Sequence, residues 1–264
     1  MNELGRGFYD MTKFIKLAGA AAIAGLAMTG AVRAADEAPA LAWSMTATGT
    51  SDYIFRGFSQ TQEDPAFQLS FDATYGIFYA GVWGSNIDFD STNDFNENVE
   101  VDFYAGITPA FGPVTLDLGV LYYAYPGISD GNLGGEADYI ELKAGAKGSP
   151  ITNLALSGTV YWTPDNFGET GEVVTLEGSA NYTLPAVGMF TPTIGGLVGT
   201  AFAENNIFGG GDDYVYWNAG LALAVEKFTF DFRYWDTDLN DATCKGTSFQ
   251  CDARFVFSAK VTLP

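Results

Sequence analysis

Apolar and polar residues alternate along most of this chain with a period of two. Phe67, Leu69, Phe71, Ala73 and Tyr75 alternate with Gln68, Ser70, Asp72 and Thr74. Val99, Val101, Phe103, Ala105 and Ile107 alternate with Glu100, Asp102, Tyr104, Gly106 and Thr108. The stretches 114–122, 140–146, 174–182, 228–234 and 255–263 behave in the same way. This is strand periodicity, with one apolar face and one polar face. It predicts strands at 42–54, 66–75, 77–87, 98–109, 113–124, 138–147, 154–163, 172–184, 191–203, 213–225, 228–236 and 253–263. Each has about the ~9–11 residues that a tilted membrane strand needs. In 77–87 and 191–203 both faces are apolar or glycine, so the phase of these two stays open.

The apolar phase of the other segments holds no Asp, Glu, Lys or Arg. The polar phase holds Asp72, Glu100, Asp102, Asp117, Glu141, Lys143, Lys147, Glu177, Asp231, Arg233, Arg254 and Lys260. A lipid-facing Arg or Lys costs roughly 2–4 kcal/mol at the bilayer midplane, so such sorting fits a membrane wall. A soluble β-sandwich alternates too, and the pattern alone does not separate the two. The connections do. Short ones near 75–77, 110–113, 148–153, 185–189 and 226–227 alternate with long ones near 56–65, 88–97, 125–137, 164–171, 204–212 and 237–252. Short turns at one end and long loops at the other mark a transmembrane barrel. The fold expected is all-β: a transmembrane antiparallel β-barrel of about 12 strands, with short periplasmic turns and long extracellular loops. Aromatics near strand ends resemble the two interfacial girdles of such a barrel: Trp43, Tyr75, Phe111, Tyr122, Tyr125, Trp162, Tyr182, Phe202, Tyr214, Tyr234 and Trp235.

The start of the chain reads as an address. Lys13 and Lys16 precede an apolar run from 17 to 32, and Val32-Arg33-Ala34 supplies small residues for cleavage after Ala34. Residues 1–34 are therefore expected to be a removed signal peptide, with possible extra residues before Met11, and 35–264 a single barrel domain. Loss of two acidic and four basic residues moves the net charge from −20 to −22. Counted with their flanking residues, over 56–65, 88–98, 124–138, 163–172, 203–213 and 236–252, the long loops hold 19 acidic residues against Arg56 and Lys245. That charge excludes a nucleic-acid partner, which needs a basic surface. The chain has no histidine, which removes His-based catalysis and most zinc sites. No nucleophile motif stands out either. The chain reads as no enzyme, with no catalytic residue, no metal and no cofactor. The acidic exterior reads as solvation, or as a surface that gathers cations.

Cys244 and Cys251 flank six residues of the last long loop. In an oxidising compartment the expected state is a disulfide; a reactive pair is the alternative, without CxxC spacing to support it. Arg56 is a lone cation among acidic loops. It pairs with Asp52 or with a lumen carboxylate, either narrowing a passage or merely folding the first loop inward.

The most distinctive stretch is Thr50-Ser51-Asp52-Tyr53-Ile54-Phe55-Arg56-Gly57-Phe58-Ser59-Gln60-Thr61. With Asp64-Pro65-Ala66, with Phe78-Tyr79-Ala80-Gly81-Val82-Trp83-Gly84-Ser85-Asn86, and with the run from Leu118 to Gly127, it resembles the TorF-type porin family of proteobacterial outer membranes. The resemblance implies an exported outer-membrane barrel and no settled substrate or site residues. One departure is the end of the chain, Val261-Thr262-Leu263-Pro264, which lacks a terminal aromatic.

The reading is a channel for passive diffusion of small solutes or ions, mildly cation-preferring. Its expected lining is Arg56, Asp72, Glu100, Asp102, Asp117, Glu141, Lys143, Glu177, Asp231 and Arg233. Its expected surroundings are outer-membrane lipid and lipopolysaccharide. The alternative is a non-conducting barrel whose acidic loops bind a partner or divalent cations.

Overall fold

The computed structural model describes residues 39–89, 98–128, 135–205, 213–240, 244 and 250–264. The expected signal segment lies outside them. Twelve long strands carry the fold: β1 (Leu41–Thr50), β2 (Ala66–Tyr75), β3 (Phe78–Asn86), β4 (Val99–Ile107), β5 (Val114–Ala124), β6 (Tyr139–Ile151), β7 (Leu154–Thr163), β8 (Val173–Thr183), β9 (Thr191–Ala203), β10 (Asp213–Val225), β11 (Phe228–Thr237) and β12 (Arg254–Leu263). Each pairs antiparallel with the next. β12 then returns to β1 in a register running from Met45↔Leu263 to Thr50↔Ser258. The sheet is therefore a closed barrel, and closure leaves no unpaired edge. The two-residue strand Ala110–Phe111 extends the turn into β5, and Ile54–Phe55 pairs with Phe58–Ser59 as a separate ribbon.

The two faces invert the order of a soluble protein. Phe67 is 58% exposed and Phe255 is 83% exposed, while Glu100 and Glu141 are 2% and 1% exposed. Apolar residues such as Phe71, Phe103, Leu142, Val160 and Phe232 stand on the outside. Ser70, Asp72, Thr159, Glu177 and Asn218 are buried inside. A buried charge needs a partner and an exposed phenylalanine gains nothing from water, so only an apolar surrounding suits this arrangement. The structure also sets the phase of the two ambiguous strands. β3 turns Phe78 out and Ser85 in; β9 turns Ile194, Val198 and Phe202 out, with Leu197 and Ala201 in.

The turn end is tight. Residues 76–77 join β2 to β3, 152–153 join β6 to β7, and 226–227 join β10 to β11. Gly76 and Glu226 have φ of 60° and 53° at the first central position, as type II′ hairpins require, and Asn153 has 66° at the second, beside a register shift at Leu154–Leu156. Two sequence expectations change. β1 stops at Thr50 rather than 54, because the chain turns into the barrel at Ser51. The girdle loses Tyr125, Tyr214 and Trp235, which are buried or packed inward. Aromatic position along a strand does not report face, and these three fall on the inward phase.

Candidate functional site

The distinctive stretch at 50–61 becomes a hairpin folded into the loop end of the barrel. Ser51 N–H donates to the Phe257 carbonyl at 2.8 Å as the chain leaves β1. Ile54 then faces Ser59, and Phe55 faces Phe58. The two residues at the tip, Arg56 and Gly57, have φ of 49° and 90°. Positive φ at both central positions is the mark of a type I′ turn. A Cβ on Gly57 would lie 2.6 Å from Thr237 Cγ2 and 2.9 Å from Tyr216 Cβ, so the tip needs glycine for space as well as for φ. A left-handed arginine costs about 1–2 kcal/mol. Its side chain must offset that.

It does so with a two-pronged ion pair. Arg56 Nη1 and Nη2 donate to Glu141 Oε1 and Oε2 at 2.7 and 2.9 Å. The guanidinium lies between the rings of Phe55 and Tyr161, 4.7 and 4.8 Å from their centroids. Such forked, ring-stacked contacts are what arginine offers and lysine does not. Burial pulls the Arg56 pKa down, but Glu141 outweighs it, and the group sits well above its ordinary value. Tyr123 Oη donates to Glu141 at 2.9 Å, and Tyr214 Oη donates to the Arg56 carbonyl at 3.1 Å. The hairpin therefore touches β5 to β7 on one side and β10 and β11 on the other. It crosses the lumen.

Asp52 fixes its foot. The carboxylate accepts Ser59 Oγ at 2.6 Å, Thr61 Oγ1 at 3.0 Å and Arg254 Nη1 at 3.0 Å. Arg254 is shared with Asp252 and Glu63. The Cys244–Cys251 disulfide is a roof: both cysteines are buried in one cluster with Phe58, Tyr214 and Tyr216. Thr237 Oγ1 donates to the Cys251 carbonyl at 3.0 Å and ties that roof to β11.

Beside the hairpin lies a layer of acids and tyrosines. Glu100 and Asp102 come from β4, and Tyr125 Oη donates to Glu100 Oε1 at 3.2 Å. Tyr53 and Tyr125 have pKa values well above the usual, first through burial and then through Glu100, so both remain neutral donors. Glu177 accepts Tyr216 Oη at 2.6 Å. Tyr216 occupies room left by Gly199 on the neighbouring strand, where a Cβ would strike the ring.

The turn half is built differently. Lys143 meets Asp117 at 3.0 Å, and Tyr79 Oη donates to the same carboxylate at 2.8 Å. Arg233 pairs with Asp231 at 2.8 Å and donates to Asn218 Oδ1 at 2.6 Å. Asp72 accepts from Tyr104 and Ser70.

The ten residues expected to line a passage thus all point inward, but they do not form one ring. Arg56, Glu100, Asp102, Glu141 and Glu177 gather around the hairpin. Asp72, Asp117, Lys143, Asp231 and Arg233 lie lower. Of the two partners weighed for Arg56, Asp52 is taken by Arg254, and Arg56 takes Glu141. Sequence reasoning did not single out Asp52 as an anchor, Tyr123 and Tyr216 as lumen donors, or Tyr161 as the ring beside the Arg56 guanidinium. Their signal was present: Tyr123 falls on the polar phase, and Asp52 sits in the most distinctive stretch.

Comparison with solved structures finds this barrel in porins. A KdgM porin in complex with disordered oligogalacturonate superposes with a TM-score of 0.54 at 8% identity, covering 84% of this chain and 100% of that one. A NanC porin does so with a TM-score of 0.52 at 9% identity, covering 83% and 99%. The likeness carries the porin-like barrel and not the TorF-type name. The curated proteins contain no match to the sequence. A family model matches residues 34–263, and the chain belongs to that family, Gcw_chp, described as a bacterial protein of unknown function.

Proposed function

We propose that this protein is a bacterial outer-membrane channel for passive diffusion of small solutes or ions, with its passage set by the hairpin at 54–59. The observation that carries the reading is the inverted barrel: charged groups inside, phenylalanines outside, around a lumen that the first loop crosses, with Phe89 and Phe167 of two further loops packed beside it. The inward strand positions hold Asp72, Glu100, Asp102, Asp117, Glu141, Glu177 and Asp231 against Lys143, Lys147, Arg233, Arg254 and Lys260. Arg56 is spent on Glu141. The excess of carboxylates favours cations. Lipid and lipopolysaccharide would surround the wall.

The crossing hairpin also favours a second reading, a non-conducting barrel whose acidic outer loops bind a partner or divalent cations. Current through single molecules in planar bilayers separates them. Discrete steps, with a reversal potential toward the cation side in a salt gradient, support the channel. Silence from correctly folded, heat-modifiable protein supports the second reading.

A further inference from the structure

The geometry points to a binding site for a divalent, calcium-like cation between Glu100 and Asp102, inside the barrel. Both side chains leave the inward face of β4, two residues apart, so they share one patch of the wall. Glu100 is 2% exposed, and its Oε2 has no hydrogen-bond partner; Asp102 Oδ1 is likewise buried without one. Two carboxylates on one face of a strand, each buried with an unpartnered oxygen, need positive charge beside them.

No neighbouring base supplies it. Among the described residues, Arg56 is held by Glu141, Lys143 by Asp117, Arg233 by Asp231, and Arg254 by Asp52, Glu63 and Asp252. The other Glu100 oxygen already accepts the Tyr125 hydroxyl, and Tyr53 stands against the same carboxylate. These phenols stabilise the carboxylate without cancelling its charge.

The donors decide the class of ion. They are oxygens only: the chain has no histidine, and both cysteines are in the disulfide. That selects a hard cation over a transition metal. Two acidic ligands balance a double charge. Calcium tolerates an irregular oxygen set, whereas magnesium demands near-ideal octahedral geometry. No third acidic side chain completes a cluster among the described residues, so water or neutral oxygens fill the other positions. An affinity on the order of 10⁻⁴–10⁻³ M follows from so few charged ligands. The site does not depend on whether the barrel conducts, and its test reads binding rather than current.

The test uses the full disulfide-bonded chain, folded in detergent and stripped with a chelator. Terbium is titrated, and its emission is excited through the tyrosines beside the site. Calcium is then added in excess. The expected result is a saturable emission that calcium reverses, with affinity reduced at least ~10-fold in Glu100→Gln/Asp102→Asn, as loss of direct ligands demands. The amides are isosteric and remove repulsion, so heat-modifiable gel migration should be retained. Emission that is the same in that variant would place the ion on the acidic outer loops and overturn the proposal. No saturable emission in either protein would mean that a shared proton neutralises the pair, and would overturn it too. A second readout needs no variant: calcium in the millimolar range should raise the thermal midpoint of the wild-type barrel, and an unchanged midpoint also overturns the site.

Discussion

In the loop half of the barrel, Arg56 and Glu141 meet 2.7 Å apart with almost no solvent around them; in the turn half, Lys143 and Asp117 meet at 3.0 Å with both side chains still partly wet. The distances are alike and the consequences are not. A dry pair has given up its hydration. Removing one partner then strands the other, at a cost of about 3–5 kcal/mol. A pair that keeps some water lets the remaining partner rehydrate, so breaking it costs less. The difference comes from what lies beside each pair. The loop half contains a second layer, the hairpin with its tyrosines and the disulfide roof. Among the described residues, the turn half has only the barrel wall. Charge in the first region therefore holds structure, while the paired charges of the second keep contact with water in the lumen.

Replacing residues 54–59 with a Gly/Ser linker should have the largest effect, since it removes the hairpin that links β5 to β7 with β10 and β11 across the lumen. Single-channel conductance should rise severalfold. Unchanged current steps would mean that the hairpin does not set the passage and that the two halves do not differ in the way described.

Arg56→Ala comes next. It should weaken docking of the hairpin by about 3–5 kcal/mol and leave Glu141 uncompensated. Amide hydrogen exchange at Phe55–Ser59 should accelerate, and current noise and ion selectivity should change. Adding Glu141→Gln should recover part of the loss, because the stranded charge disappears. Without any recovery, the ion pair is not what seats the hairpin.

Reducing Cys244–Cys251, or replacing both with serine, should cost about 2 kcal/mol in the loop half. Proteolysis of the last loop should become faster, and exchange near Phe58 should follow. Strands β5 and β6 at the turn end should stay protected; if they loosen equally, the two halves are one cooperative unit.

Lys143→Met should produce the smallest change in stability of the four, because Tyr79 still donates to Asp117 and water reaches the carboxylate. Its signature is electrical. Loss of a positive charge from the wet half should shift the reversal potential further toward cations. A large loss of stability instead would place Lys143 with Arg56 rather than apart from it.

Part of this could be read from the chain alone. The inward identity of Asp72, Glu100 and Asp102 follows from period-two alternation, because successive strand side chains point to opposite faces whatever the rest of the protein does. The alternation failed where it carried no contrast. Residues 191–203 have glycine or apolar groups on both faces, and only pairing with β8 and β10 set their phase. It was also silent on the first loop, which has no periodicity to read.

The sequence by itself determined the wall: twelve ribbons, their greasy side, their tight and loose ends, and the charges turned toward the lumen. These are local consequences of residue order and strand geometry. What fills the loop half follows from contacts between residues far apart in the chain. Arg56 and Glu141 are 85 residues apart, and Asp52 and Arg254 are 202 apart. No local preference links such pairs. Closing the barrel brings them together, and the loss of water there makes each partner indispensable to the other.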